Sequence, residues 1–221
     1  MPHPPAHRSP QASAAGRTPR REAWRAIGVV LVSAQAGLAH AATVDVSVTD
    51  ASGSPLADAV VAIEVKGAKT TAAPGTQAEM GQRSRSFVPS VLAVQTGTAV
   101  LFPNFDTVRH HVYSFSAIRA FEIKLYAGTP SAPVVFDKPG TAVLGCNIHD
   151  RMTAYVHVVN TPHFAKTSAT GSVHLDVPPG DHTLQVWHPS MADAVEPKRV
   201  ALKVAATGNP RTSIALTPAG R

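Results

Sequence analysis

From residue 43 onward the chain breaks into short runs in which apolar and polar residues alternate, separated by Gly, Pro, Asn and Asp. Nowhere in that stretch does a 3.6-residue apolar period last three turns. Period-two alternation puts one face of each run into a core, so the chain is predicted to be all-β with little helix. The runs are residues 44–48, 59–65, 91–94, 99–102, 111–116, 121–125, 134–136, 140–144, 154–159, 172–177, 181–187, 199–204 and 211–216. That many short strands suffices for two sandwiches. Residues 67–82 turn to Ala, Thr, Gly and Pro and read as a linker or long surface loop.

An apolar share of 44% against 15% charged residues allows a buried core and excludes disorder throughout. The longest apolar run, residues 26–38, falls short of the roughly 20 residues a membrane helix needs, so no membrane span is expected. The formal charge is +6, but Arg8, Arg17, Arg20, Arg21 and Arg25 against Glu22 place +4 of it ahead of residue 42. The remainder carries 15 basic and 13 acidic residues, a balance that argues against a nucleic-acid partner. Residues 1–41 read as a secretory signal peptide, with an Arg-rich start, the apolar run, and Ala39-His40-Ala41 as cleavage site. The protein is therefore expected in the periplasm.

The single cysteine, Cys146, rules out an intramolecular disulfide and any multi-cysteine zinc or iron-sulfur site. It opens Cys146-Asn-Ile-His149-Asp-Arg-Met152, in which a thiol, an imidazole and a thioether recur every third residue. A tight loop can aim all three at one point. Sulfur ligands combined with imidazole select copper, and two histidines, a thiolate and a weak axial methionine make a blue-copper electron-transfer site. A second histidine must come from elsewhere, and His110 and His111 open the strand-like Val112-Tyr-Ser-Phe-Ser116. Alternation puts His111 with Tyr113 and Phe115 on the more apolar side, which favours His111 over His110. Nucleophilic catalysis by Cys146 with His149 needs an orienting carboxylate and an oxyanion hole. The adjacent Asp150 is expected to point elsewhere, and no paired carboxylates or phosphate loop stand out, so the chain does not read as an enzyme.

Phe87-Val-Pro-Ser90, Val94-x-x-Gly97-x-x-Val100-x-Phe102 and His110-His-Val112 resemble the first half of a plastocyanin-like cupredoxin, and the Cys-x-x-His-x-x-Met loop resembles that of amicyanin. Phe102 to Ser116, Leu144 to Asp150 and Tyr155 to Pro162 also resemble periplasmic cupredoxin-like proteins labelled "methylamine utilization protein". The resemblance spans roughly residues 76–190. It implies one mononuclear copper with His110, Cys146 and His149 as the trigonal ligands and Met152 as the axial one, and at this point it selects His110. It departs from the family in having His111 where Asn is usual, Arg151 where an aromatic residue is expected, and no proline in the loop. It further implies a carrier of single electrons between redox proteins, a dehydrogenase or a cytochrome, met through weak contacts. The alternative is a module for copper storage, delivery or sensing.

Outside that stretch, Val44-x-Val-x-Val48-Thr-Asp-x-x-Gly53-x-Pro-Leu56 and, a hundred residues on, Gly171-x-x-x-Leu175-x-Val-Pro-Pro-Gly180 resemble the two halves of a carboxypeptidase regulatory-like or transthyretin-like sandwich. The organisation expected is thus a discontinuous Ig-like sandwich of residues 43–75 and 160–221, with a cupredoxin-like Greek-key sandwich, residues 76–159, inserted between them. Asn104 and Asp106 flank a turn and brace the histidine strand. Met80 is an alternative axial ligand, Trp187 reads as a core residue at a strand end, and His157, His163, His174 and His182 lack ligand spacing.

Overall fold

A computed structural model of the protein describes residues 41–130, 132–191 and 196–217. The leader expected over residues 1–41 lies outside them, apart from Ala41. In chain order the strands are β1 (Ala42–Thr49), β2 (Val60–Glu64), β3 (Gln77–Glu79), β4 (Gly81–Arg83), β5 (Ser86–Val88), β6 (Val91–Gln95), β7 (Thr98–Leu101), β8 (His110–Ser116) and β9 (Arg119–Tyr126). They continue with β10 (Val134–Phe136), β11 (Gly140–Gly145), β12 (Thr153–Val159), β13 (Phe164–Lys166), β14 (Ser172–Val177), β15 (Gly180–Trp187), β16 (Lys198–Val204) and β17 (Arg211–Ala215). No helix occurs among the described residues, and the all-β expectation holds.

Two sheets are built from the ends of the described chain. One has the order β14-β1-β17 and the other β13-β2-β15-β16. In β1, Val44, Val46 and Val48 alternate inward and are at most 1% exposed. They share one core with Ile63, Leu175 and Leu184, so both sheets and both ends of the described chain contribute to a single sandwich. Gly171 lets the chain turn close against β1. Its φ is +71°, and a Cβ there would sit 2.5 Å from the Val48 carbonyl oxygen, a position that only glycine fits.

The middle of the chain forms a second core between the sheet β10-β7-β3 and the five-stranded sheet β6-β12-β11-β8-β9, with the hairpin β4-β5 beside them. Met80, Phe102, Val112, Phe136, Leu144 and Val156 fill it. The segment read as a linker, residues 67–82, is only partly one. It contains β3 and most of β4, and Met80 and Gln82 are completely buried. Three-residue strands are too short to show alternation, and a buried Gln hides the apolar pattern.

The two sandwiches meet through a third apolar cluster of Val60, Ala62, Val91, Val159 and Trp187. Trp187 lies flat on His157, with ring centroids 4.6 Å apart and planes 9° apart, and also packs on Tyr155. His157 Nδ1 meets the Thr141 hydroxyl at 2.9 Å. Burial pushes the His157 pKa down from 6.5 to about 4. Between those values the unfolded chain binds a proton that the folded chain refuses. Stability is therefore complete above pH 6.5 and falls, by an amount on the order of 3 kcal/mol, as the pH drops to about 4. His157→Gln is expected to flatten that part of the stability curve. Denaturant titrations at pH 7, 5.5 and 4 read the difference, and a mutant curve parallel to wild type would disprove the assignment.

Candidate metal centre

Three strands of the five-stranded sheet deliver the central side chains. His110 opens β8, Cys146 follows β11 directly, and the loop after Cys146 re-enters the sheet as β12. That loop is two successive tight turns, closed by His149 N–H to Cys146 O (3.4 Å) and Met152 N–H to His149 O (2.9 Å). The three-residue spacing in sequence thus becomes a three-residue repeat of turns, each returning the chain to the same place.

His110, Cys146 and His149 present their donor atoms within 4.8 Å of one another, the one such group of three among the described residues. The Cys146 sulfur lies 3.9 Å from His110 Nδ1 and 3.7 Å from His149 Nδ1. Metal–sulfur and metal–nitrogen bonds of about 2.3 Å and about 2.0 Å, meeting at 120°, separate the two donors by about 3.7 Å, against about 3.5 Å at a tetrahedral angle. Both sulfur–nitrogen spacings are in the range that one first-row ion bound by all three donors would need. The imidazole rings face each other obliquely, their centroids 5.0 Å apart at 57°. His110 is fully buried and Cys146 nearly so, whereas His149 is half-buried beside the exposed Ile148. Met152 and Met80 both lie buried in the core that includes Cys146.

The preference that alternation gave to His111 is overturned. His110, Val112 and Ser114 point inward and are completely buried, while His111, Tyr113 and Phe115 line the outer face of the sheet, where Phe115 is 84% exposed. His111 Nε2 lies 3.0 Å from Glu122 Oε1, and the His111 ring packs on Tyr113. Apolar content misleads here because the inner face of β8 carries a ligand-type histidine and a serine, while the aromatic pair stacks outside.

Asp106, expected to flank a turn and brace the histidine strand, reaches the site through His110 itself. Its Oδ2 is 2.8 Å from His110 Nε2. The Ser84 and Arg85 amides donate to its two oxygens at 2.6 and 2.9 Å. Its carboxyl is held below the ordinary value of 3.8, chiefly by the Arg85 amide, against the opposing effect of burial and with further help from His110 and Ser84. Asn104 accepts the Asp106 amide on Oδ1 (2.9 Å) and donates to the Val108 and Tyr126 carbonyls at 2.9 and 3.0 Å, closing the loop that leads into β8. Deeper in, Tyr126 donates to the Phe102 carbonyl (2.5 Å) and accepts from the Gln82 amide. Burial, first of all, pushes its phenol up to about 12, so it remains a donor. Gln82 is a residue that sequence reasoning missed, since nothing distinguishes it from a loop glutamine.

No family model and no curated protein matches the chain. Among solved structures it is similar in part to a copper-containing nitrite reductase from Thermus scotoductus, with 27% identity, 42% of this chain and 24% of that one covered, and a TM-score of 0.36. It is similar likewise to amicyanin from Paracoccus versutus, with 17% identity, 43% and 96% covered, and 0.33. A purple cupredoxin from Nitrosopumilus maritimus gives 22%, 38% and 98%, and 0.33. The chain spans about a quarter of the length of the nitrite reductase and nearly all of the two cupredoxins.

Proposed function

We propose that the protein is a cupredoxin-like copper protein that carries single electrons, with His110, Cys146 and His149 as equatorial ligands of one mononuclear copper and Met152 as the weak axial one. The observation that carries this reading is the convergence of one buried thiol and two imidazole Nδ1 atoms at spacings suited to a trigonal site. Met152 fits the axial role because the turn from His149 returns it, buried, to the same core.

Copper bound there supplies the chemistry, a one-electron change between two oxidation states. The chain supplies the rest. Cys146 and His110 are anchored at strand ends of a packed sheet, so the donor positions are held whichever charge the site carries. Cys146 is 4% exposed and belongs to the same apolar core as Met80, Phe87 and Met152, so water has little access to the sulfur. The half-buried His149 and the exposed Ile148 bring the site to the surface, where a redox partner, a dehydrogenase or a cytochrome, is met through a small weak interface. On this reading no substrate is turned over, the protein works in the periplasm after loss of its leader, and the flanking sandwich is a carboxypeptidase regulatory-like module.

The visible spectrum of the Cu(II)-loaded protein beside Cys146→Ser tests the reading. An intense band near ~600 nm that vanishes in the mutant is expected of a thiolate–copper bond. A protein that binds copper without colour is a storage or delivery module instead, and one that binds no copper sinks both.

A further inference from the structure

We infer that Asp106 is the positioning residue of the His110 ligand, held in place by the backbone of the Ser84-Arg85 turn; the inference rests on the copper reading above. His110 is completely buried, and each of its ring nitrogens has a different neighbour. Nε2 meets Asp106 Oδ2 at 2.8 Å, and Nδ1 faces the Cys146 sulfur at 3.9 Å. A carboxylate only accepts, so the ring proton sits on Nε2 and the Nδ1 lone pair is the one aimed at the metal position.

The carboxylate cannot rotate away from this role. Ser84 N–H donates to Oδ1 at 2.6 Å and Arg85 N–H to Oδ2 at 2.9 Å. Those two amides point the same way because β4 and β5 are joined by a two-residue turn in which Ser84 and Arg85 have φ of 53° and 56°. A left-handed pair is what this hairpin turn requires, and Asn-Gly is its usual sequence. Here two residues with side chains occupy a conformation that such residues rarely adopt. Neither side chain accounts for the contact, since only the amides reach Asp106.

The Asn104 bonds to Asp106, Val108 and Tyr126 complete the brace from the other side. A negative charge on the far nitrogen of a ligand histidine strengthens the near nitrogen as a donor and favours the more highly charged metal ion.

The test compares wild type with Asp106→Asn and with the paired change Ser84→Asn and Arg85→Gly, each loaded with copper. Asp106→Asn retains the shape and loses the charge. Its Cu(II) affinity is expected to fall tenfold or more, with Cu(I) affinity less affected. Each tenfold fall in Cu(II) affinity relative to Cu(I) affinity raises the midpoint potential by 59 mV. The paired turn variant retains both amides, so its potential and Cu(II) affinity are expected to match wild type. A wild-type blue band with unchanged potential and affinity in Asp106→Asn overturns the inference alone, whereas a wild type that binds no copper overturns the copper reading and this one with it. Nitrogen NMR of the metal-free wild-type imidazoles supplies a readout that needs no variant to fold: a His110 proton on Nδ1 rather than Nε2 would refute the positioning role.

Discussion

Loading with copper is expected to raise the melting temperature of the wild-type protein strongly and to leave that of Cys146→Ala nearly unmoved. A ligand that binds only the folded state stabilises it according to the ratio of free ligand to dissociation constant, about 4 kcal/mol at a thousandfold excess. For a chain of this size that corresponds to a rise of roughly 8–16 °C. The folded state alone brings His110 and Cys146, 36 residues apart, to within 3.9 Å, so the unfolded chain offers no comparable site. Alanine at position 146 removes the thiolate while the surrounding apolar side chains, Leu144 and Met152 among them, stay in place. Calorimetry with and without copper reads the effect. An equal shift in the mutant would sink ligation by Cys146, whatever the metal's other contacts.

Trp187→Ala is expected to cost about 3–5 kcal/mol, the range for removing a buried large aromatic side chain. Trp187 is 4% exposed and belongs to the apolar cluster between the two sandwiches, in face-to-face contact with His157 and in oblique contact with Tyr155 at 5.6 Å. Removing it leaves a cavity at the joint itself, so the two cores, each complete without it, should begin to unfold at separate temperatures. Water entering that cavity also reaches His157, and the loss of stability between pH 6.5 and 4 should shrink in the variant. A single transition with a loss below about 1 kcal/mol would show that Trp187 does not couple the two cores.

Where sequence reasoning succeeded and failed follows from the range of the interactions concerned. The loop Cys146-x-x-His149-x-x-Met152 was legible because all its members lie within two turns, and local turns alone bring Cys146 and His149 together. The choice between His110 and His111 was not legible from alternation. Which face of β8 is inner depends on the strands packed against it, and the exposed stack of Tyr113 on Phe115 carries the same apolar signal as a core face. Asp106 was visible as a turn residue bracing the histidine strand, and its contact with His110, four residues on, is local, whereas the amides that hold its carboxylate come from the Ser84-Arg85 hairpin more than twenty residues away. That turn carries no Gly or Asn to announce it.

The sequence by itself determined the strand-rich character of the chain and the donor types at the site, because period-two alternation and a single Cys-His-Met loop are local properties of the chain. It also determined that no second cysteine could alter the chemistry. Only the tertiary structure decided that Val46 and Leu184 share one core, that His110 rather than His111 meets Cys146, and that His157 is held neutral against Trp187. Each of these depends on which strand lies beside which, and so on long-range sheet pairing and the burial that follows from it, which a period of two residues does not encode.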